Sequence, residues 1–104
     1  MSRKIIYHIV TNESWQSQIE SDVYRHASLD TEGFIHLSRA SQVAGVLDRY
    51  YQGVDNLLQL TIDIDLLSAT APLKEELAKS VGELFPHIYG PINKSAIVKV
   101  ESIR

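Results

Sequence analysis

Two segments of this 104-residue chain set imidazoles among large apolar residues on a stiffened backbone: Glu32-Gly33-Phe34-Ile35-His36-Leu37-Ser38 and Leu84-Phe85-Pro86-His87-Ile88-Tyr89-Gly90-Pro91. Imidazole titrates near neutrality, so histidines held this way suit acid–base work or the anchoring of polar ligand groups. Apolar neighbours beside a few polar groups are the composition of a cleft wall. On an extended strand His36 points away from Ile35 and Leu37, and Ser38 adds a hydroxyl on the same face two residues along. The plainer reading of His36 is a surface histidine or one bonded to a backbone carbonyl. Pro86 and Pro91 stiffen the second segment, which predicts a rigid loop presenting His87 and Tyr89 on one side. The plainer reading there is a structural turn with Phe85 and Tyr89 as core plugs.

His8 is a third candidate. It shares a strand face with Ile6 and Val10, and a histidine on an apolar face is more often a satisfied core residue than a functional one. His26 has no supporting context and is expected to be exposed. Metal binding by His8, His36 and His87 is disfavoured, because neither H-x-x-x-H nor H-E-x-x-H occurs. Two-histidine phosphoesterase chemistry pairs two H-x-[S/T] units. His36-Leu37-Ser38 is one, and His87-Ile88-Tyr89 is not another.

These residues need elements to position them. Lys4 to Val10 is β-branched and aromatic and predicts a strand. Thr11-Asn12 then offers an N-cap for a short helix with Trp15 and Ile19 on one face. Tyr24 to Leu29 is ambiguous, and Phe34 to Leu37 reads as a short buried strand. Ser38 is expected to cap the strongest helix, whose apolar stripe is Ala40, Val43, Ala44, Leu47, Tyr50 and Tyr51, with Gly53 as its stop. Leu58, Leu60 and Ile62 alternate with polar residues as in a half-buried strand. Asp65 to Leu67 predicts a helical turn; Pro72 to Leu77 reads as a short extended segment, and Glu75 to Lys79 equally admits a helix. A last strand runs from Ala96 to Ile103, with Ala96, Val98 and Val100 on one face. The order predicts one α+β domain over residues 1–104, with a mostly antiparallel, split β-structure and two helices.

Composition narrows the classes. A chain of this length buries roughly two-thirds of its extended surface and needs no staples. It contains no cysteine, which suits a reducing cytoplasm. A net charge of −3 argues against a broad nucleic-acid-binding surface. No window approaches the ~20 apolar residues of a membrane span, and no long apolar signal region precedes the first strand. The expectation is a soluble cytoplasmic protein, its oligomeric state left open.

The string Ser28-Leu29 to Glu32-Gly33-Phe34-Ile35-His36-Leu37-Ser38, followed by Phe85-Pro86-His87-Ile88-Tyr89-Gly90-Pro91, resembles a bacterial family of small domains, the domain-of-unknown-function family nine-five-two. The likeness extends to the His8 strand, to Trp15 and to Leu73-Lys74-Glu75-Glu76. Where that family has a tryptophan–glutamate pair this chain has Glu75-Glu76, which leaves Glu76 as the equivalent acid. The resemblance implies a fold similar to the ADP-ribosyltransferase fold, shared by RNA 2′-phosphotransferases, with NAD bound in a central cleft. It implies a small nucleotide ligand, NAD as substrate and no metal. His8 and Ser38 would anchor ribose or phosphate, Tyr89 would be a stacking wall, and Glu76 would stabilise the ribosyl cation. His36 and His87 would be polar anchors or acid–base groups. The implied activity is transfer of an ADP-ribosyl or phosphate group, and the alternative is a non-catalytic module for a nucleotide or small anion.

Overall fold

Alternating apolar residues make the strands, and the points where alternation fails decide how they join. The structure, a computed structural model, describes residues 4–68 and 71–104. Strand β1 (Ile5–Thr11) pairs antiparallel with β4 (Leu57–Asp63), and β4 pairs with β8 (Ile97–Ser102). A second antiparallel sheet has the order β3 (Ile35–His36), β6 (Glu83–Ile88), β5 (Leu73–Ala78). A short pair, β2 (Val23–Tyr24) with β7 (Ile92–Asn93), completes the sheets among the described residues. The helices are α1 (Asn12–Gln16), α2 (Ser28–Thr31) and α3 (Val43–Tyr50). The architecture is a small α+β fold, mostly antiparallel, with few helices. No described helix is long and apolar enough to cross a membrane.

The sheets are split by a proline. Pro86 accepts the Leu37 N–H at 3.0 Å but has no N–H to return, and the β3 ladder stops at His36. Released from β6, the chain turns to β1, where Ser38 and Tyr7 exchange backbone hydrogen bonds of 2.7 and 2.8 Å. Behind this junction lies the core, with Ile6, Ile35, Leu60, Ile62, Ile88 and Ile92 all fully buried. Each such side chain contributes about 1.5–3 kcal/mol by leaving water.

Several sequence expectations are corrected. The His87 segment is the central strand β6 and not a loop, because β3 and β5 supply partners on both sides. Residues 73–78 resolve as strand for the same reason. Ser38 does not cap α3, since its backbone is engaged by Tyr7. A 3₁₀ turn at Ala40–Gln42 comes first, and the Gln42 amide oxygen accepts the Arg39 N–H at 2.9 Å. The α3 stripe does not enter the core. Ala44 and Tyr50 are exposed, whereas Val46, Leu47 and Tyr51 are half-buried. Ile19 is exposed because α1 ends at Gln16. In β8 a bulge opposite Thr61 and Ile62 makes Val98 the extra residue. Ile97 therefore pairs with Ile62, and Val98 is left exposed. The ambiguous stretch after Tyr24 holds α2, which makes three helices where two were expected.

Gly33 closes α2. Its N–H bonds to the Ser28 carbonyl at 3.0 Å with φ at +85°, a conformation that favours glycine. A Cβ built there meets nothing within 4 Å, so the backbone angle and not space requires glycine. Gly33→Ala should destabilise the fold by about 1 kcal/mol in urea unfolding. An unchanged midpoint would show that the turn relaxes without cost.

Candidate functional site

Antiparallel pairing of β3 with β6 sets His36 directly opposite His87, and the two rings meet edge-to-face with centroids 5.0 Å apart. Phe34, two residues before His36 on the same face, stacks on His87 at 4.1 Å and 20° and meets His36 edge-on at 4.9 Å. One aromatic side chain thus braces both imidazoles.

Each imidazole is also held by a carboxylate. His36 Nε2 lies 2.9 Å from Glu32, which precedes it across the Gly33 turn; both side chains are about half exposed. His87 Nδ1–H donates to Glu76 at 2.9 Å, and the Tyr89 hydroxyl donates to the same oxygen. Tyr89, first, and His87, second, hold the Glu76 carboxyl below the usual carboxylate range, and Glu76 in turn raises the Tyr89 phenol. With Nδ1 committed, His87 Nε2 has no partner among the described residues. No buried side-chain nitrogen or oxygen described lacks a partner, so that Nε2 must reach the surface of the buried ring's surroundings. A neutral imidazole pinned this way presents an acceptor.

The surface it reaches is a cleft of about 560 Å³. His8, Ser38 and His36 line one side, Phe85 and His87 another, and Val46, Tyr50 and Tyr51 of the α3 region close it. Leu77 and Ala78 of β5 complete the apolar wall. Ser38 is buried, and its backbone is spent on Tyr7, which leaves its hydroxyl for the cleft. Among the described residues no lysine or arginine lines the cleft, and the carboxylate that does is Glu32.

The residues singled out from the sequence divide into two groups. His36, His87 and Ser38 converge on the cleft. Glu76 and Tyr89 lie on the same sheet face but outside the cleft, with Phe34 between: its ring is 5.2 Å from that of Tyr89. Glu76 therefore orients His87 and does not face the cavity, and Lys74 sits over the outer Tyr89 ring at 4.9 Å. His8 touches the cleft, yet both of its nitrogens are bonded within the protein. Its Nδ1–H donates to the His36 carbonyl at 2.7 Å, and the Tyr24 hydroxyl donates to its Nε2 at 2.8 Å. Burial, chiefly, pulls His8 down to about 3, so it stays neutral. Among the described residues no three metal-ligating side chains converge.

His26 was missed. It is half-buried, lines the cleft, and packs edge-on against His8 with centroids 5.3 Å apart. The signal for it was spacing: His26-Ala27-Ser28 repeats the H-x-S of His36-Leu37-Ser38.

Residues 9–100 match the family described as Protein of unknown function (DUF952). The chain belongs to this family. Solved structures of a protein from Caulobacter crescentus, CC0527, share its fold. The crystal structure is 26% identical with a TM-score of 0.85, covering 97% of this chain and 87% of that one. The solution NMR structure is 27% identical with a TM-score of 0.79, covering 95% and 84%. No curated protein matches the sequence. DUF952 membership thus accounts for the two histidine segments as parts of one fold, and their chemistry has to be argued from the cleft itself.

Proposed function

We propose that the cleft binds a nucleotide of the ADP-ribose or NAD class, and that its carboxylate-held histidines carry out acid–base chemistry on it. One observation carries this reading: two imidazoles, each hydrogen-bonded to its own carboxylate, stand side by side on one cleft. A carboxylate that holds an imidazole selects its tautomer and stabilises the imidazolium formed when the other nitrogen takes a proton. His87 Nε2 is the base: it takes the proton of the water or acceptor hydroxyl that bonds to the ribose carbon as neutral nicotinamide leaves. His36 and the Ser38 hydroxyl bind ribose oxygens, and Tyr50, Tyr51 and Phe85 supply flat apolar walls for a base. Breaking a nicotinamide–ribose bond builds positive charge on the ribose. Glu32, which lines the cleft, is the carboxylate for that charge, in place of Glu76. The resemblance to the ADP-ribosyltransferase fold belongs to this proposal, as does a cytoplasmic setting, where such nucleotides are abundant.

The rival reading is a non-catalytic nucleotide module. It is favoured by the half-exposure of His36 and Glu32, which leaves that pair open to water.

Titration with NAD, ADP-ribose and nicotinamide at millimolar concentration, followed by NMR on the histidine ring signals, separates the readings. Shifts at His36 and His87, lost in His36→Ala, are expected. Rings that do not move would remove the nucleotide proposal. Shifts without nicotinamide release over hours would favour the binding module.

A further inference from the structure

The histidine that sequence reasoning passed over differs from its neighbours in the direction of its hydrogen bond. The Ser28 backbone N–H donates to His26 Nδ1 at 3.1 Å, and the Ser28 hydroxyl lies 2.9 Å from the same nitrogen. A backbone N–H can only donate, so Nδ1 must be an acceptor, and the neutral ring then carries its proton on Nε2. His26 Nε2 has no partner among the described residues and, because none of the buried polar atoms described is unsatisfied, it is accessible to solvent, on a ring that lines the cleft. His87 is pinned in the opposite sense, with Nδ1 protonated and Nε2 the acceptor. The two rings, both lining the cleft, are thus held in opposite tautomers when neutral.

We propose that His26 is a ligand-binding residue that donates from Nε2–H to an uncharged oxygen of the substrate, and that the part of the cleft it lines takes the ribose or carboxamide half of a nucleotide with its phosphates left outside. The proposal rests on the nucleotide reading for its ligand class, but the role of His26 is set by its own geometry. Two observations exclude a phosphate there. Among the described residues no lysine or arginine lines the cleft, and Glu32 places a carboxylate in it. A neutral His26 offers an ionised phosphate a hydrogen bond but no charge to offset its repulsion from Glu32. The groups that act on it are His8, packed edge-on, His36, and Glu32. Burial and then His36 hold His26 below its ordinary value, with Glu32 acting the other way. A neutral donor serves hydroxyl and carbonyl oxygens, which require a directed hydrogen bond and no charge.

Long-range ¹⁵N NMR of the full chain reads the tautomer directly. His26 should show a protonated Nε2 and should titrate below the ordinary histidine value. A protonated Nδ1, or titration at an ordinary histidine value, would overturn the donor role whether or not any nucleotide binds. Adenosine, ADP-ribose and inorganic pyrophosphate then test the ligand class. Adenosine and ADP-ribose should shift the His26 signals alike, with pyrophosphate leaving them in place. His26→Leu should weaken adenosine binding roughly tenfold, and His26→Gln, which keeps a donor, should stay within about threefold of wild type. Pyrophosphate moving His26, or His36 and His87 responding to ADP-ribose while His26 does not, would overturn it. If no probe moves any ring, the nucleotide reading and the ligand class proposed here both fail, and the tautomer alone decides whether His26 is a donor.

Discussion

Acidification from pH 7 to pH 5 should lower folding stability by roughly 2 kcal/mol through His8 alone. The folded-state value is about 3 against an ordinary 6.5, a depression caused chiefly by burial. The unfolded chain therefore binds the proton first. The contribution is present above the unfolded value, declines as pH drops below about 6.5, and is gone once pH passes through about 3. His26 is lowered too and acts in the same direction. Urea unfolding at pH 5, 6, 7 and 8 measures the slope. His8→Leu should flatten it, and should also cost about 2–5 kcal/mol at pH 7, because it strands the Tyr24 hydroxyl and the His36 carbonyl in the core. An equal slope in His8→Leu would assign the acid sensitivity to other groups. The link to function is direct: the His8–His36 bond ties β1 to the backbone of a cleft histidine.

If the cleft turns over a nucleotide as proposed, Glu76→Ala should reduce that turnover by roughly 10²- to 10⁴-fold, the usual share of an acid–base group, although Glu76 does not line the cleft. Its removal frees His87 Nδ1, so the ring can carry its proton on Nε2 and lose the base. Ligand affinity should stay within about threefold, since the cleft wall is untouched. The loss would therefore fall on kcat and not on KM, which separates a positioning residue from a binding one. Glu76→Gln keeps an acceptor oxygen but no charge, and should fall between the alanine variant and wild type. Unaltered turnover in the alanine variant would remove the carboxylate–histidine pair from the mechanism. A collapsed fold is not expected, because the Glu76 side chain is 38% exposed.

Much of the site was legible because its determinants are local. Gly33 before Phe34-Ile35-His36 marks a turn feeding a strand, and alternation within that strand puts His36 and Ser38 on the face opposite Ile35 and Leu37. Pro86 was read as a loop residue, a sound inference for a proline amid apolar residues. The structure keeps it in a central strand because its missing N–H faces the point where β3 departs. The α3 stripe was legible as amphipathic, but periodicity does not say whether an apolar face meets a core or a cleft. The Val98 bulge was invisible for a similar reason: one extra residue in β8 is defined only against its partner β4.

What the sequence determined by itself, then, is what lies within a few residues of each histidine: the strand that presents His36, the stiff backbone around His87, and the paired motifs that mark the family. Only the tertiary structure decided which groups touch. Glu32 reaches His36 from four residues away across one turn, but Glu76 reaches His87 from eleven residues away through strand pairing. His26 enters the cleft because α2 and the Ser28 backbone hold its ring. Tautomer, burial and orientation are properties of contacts, and contacts between distant residues exist only once the sheets have paired.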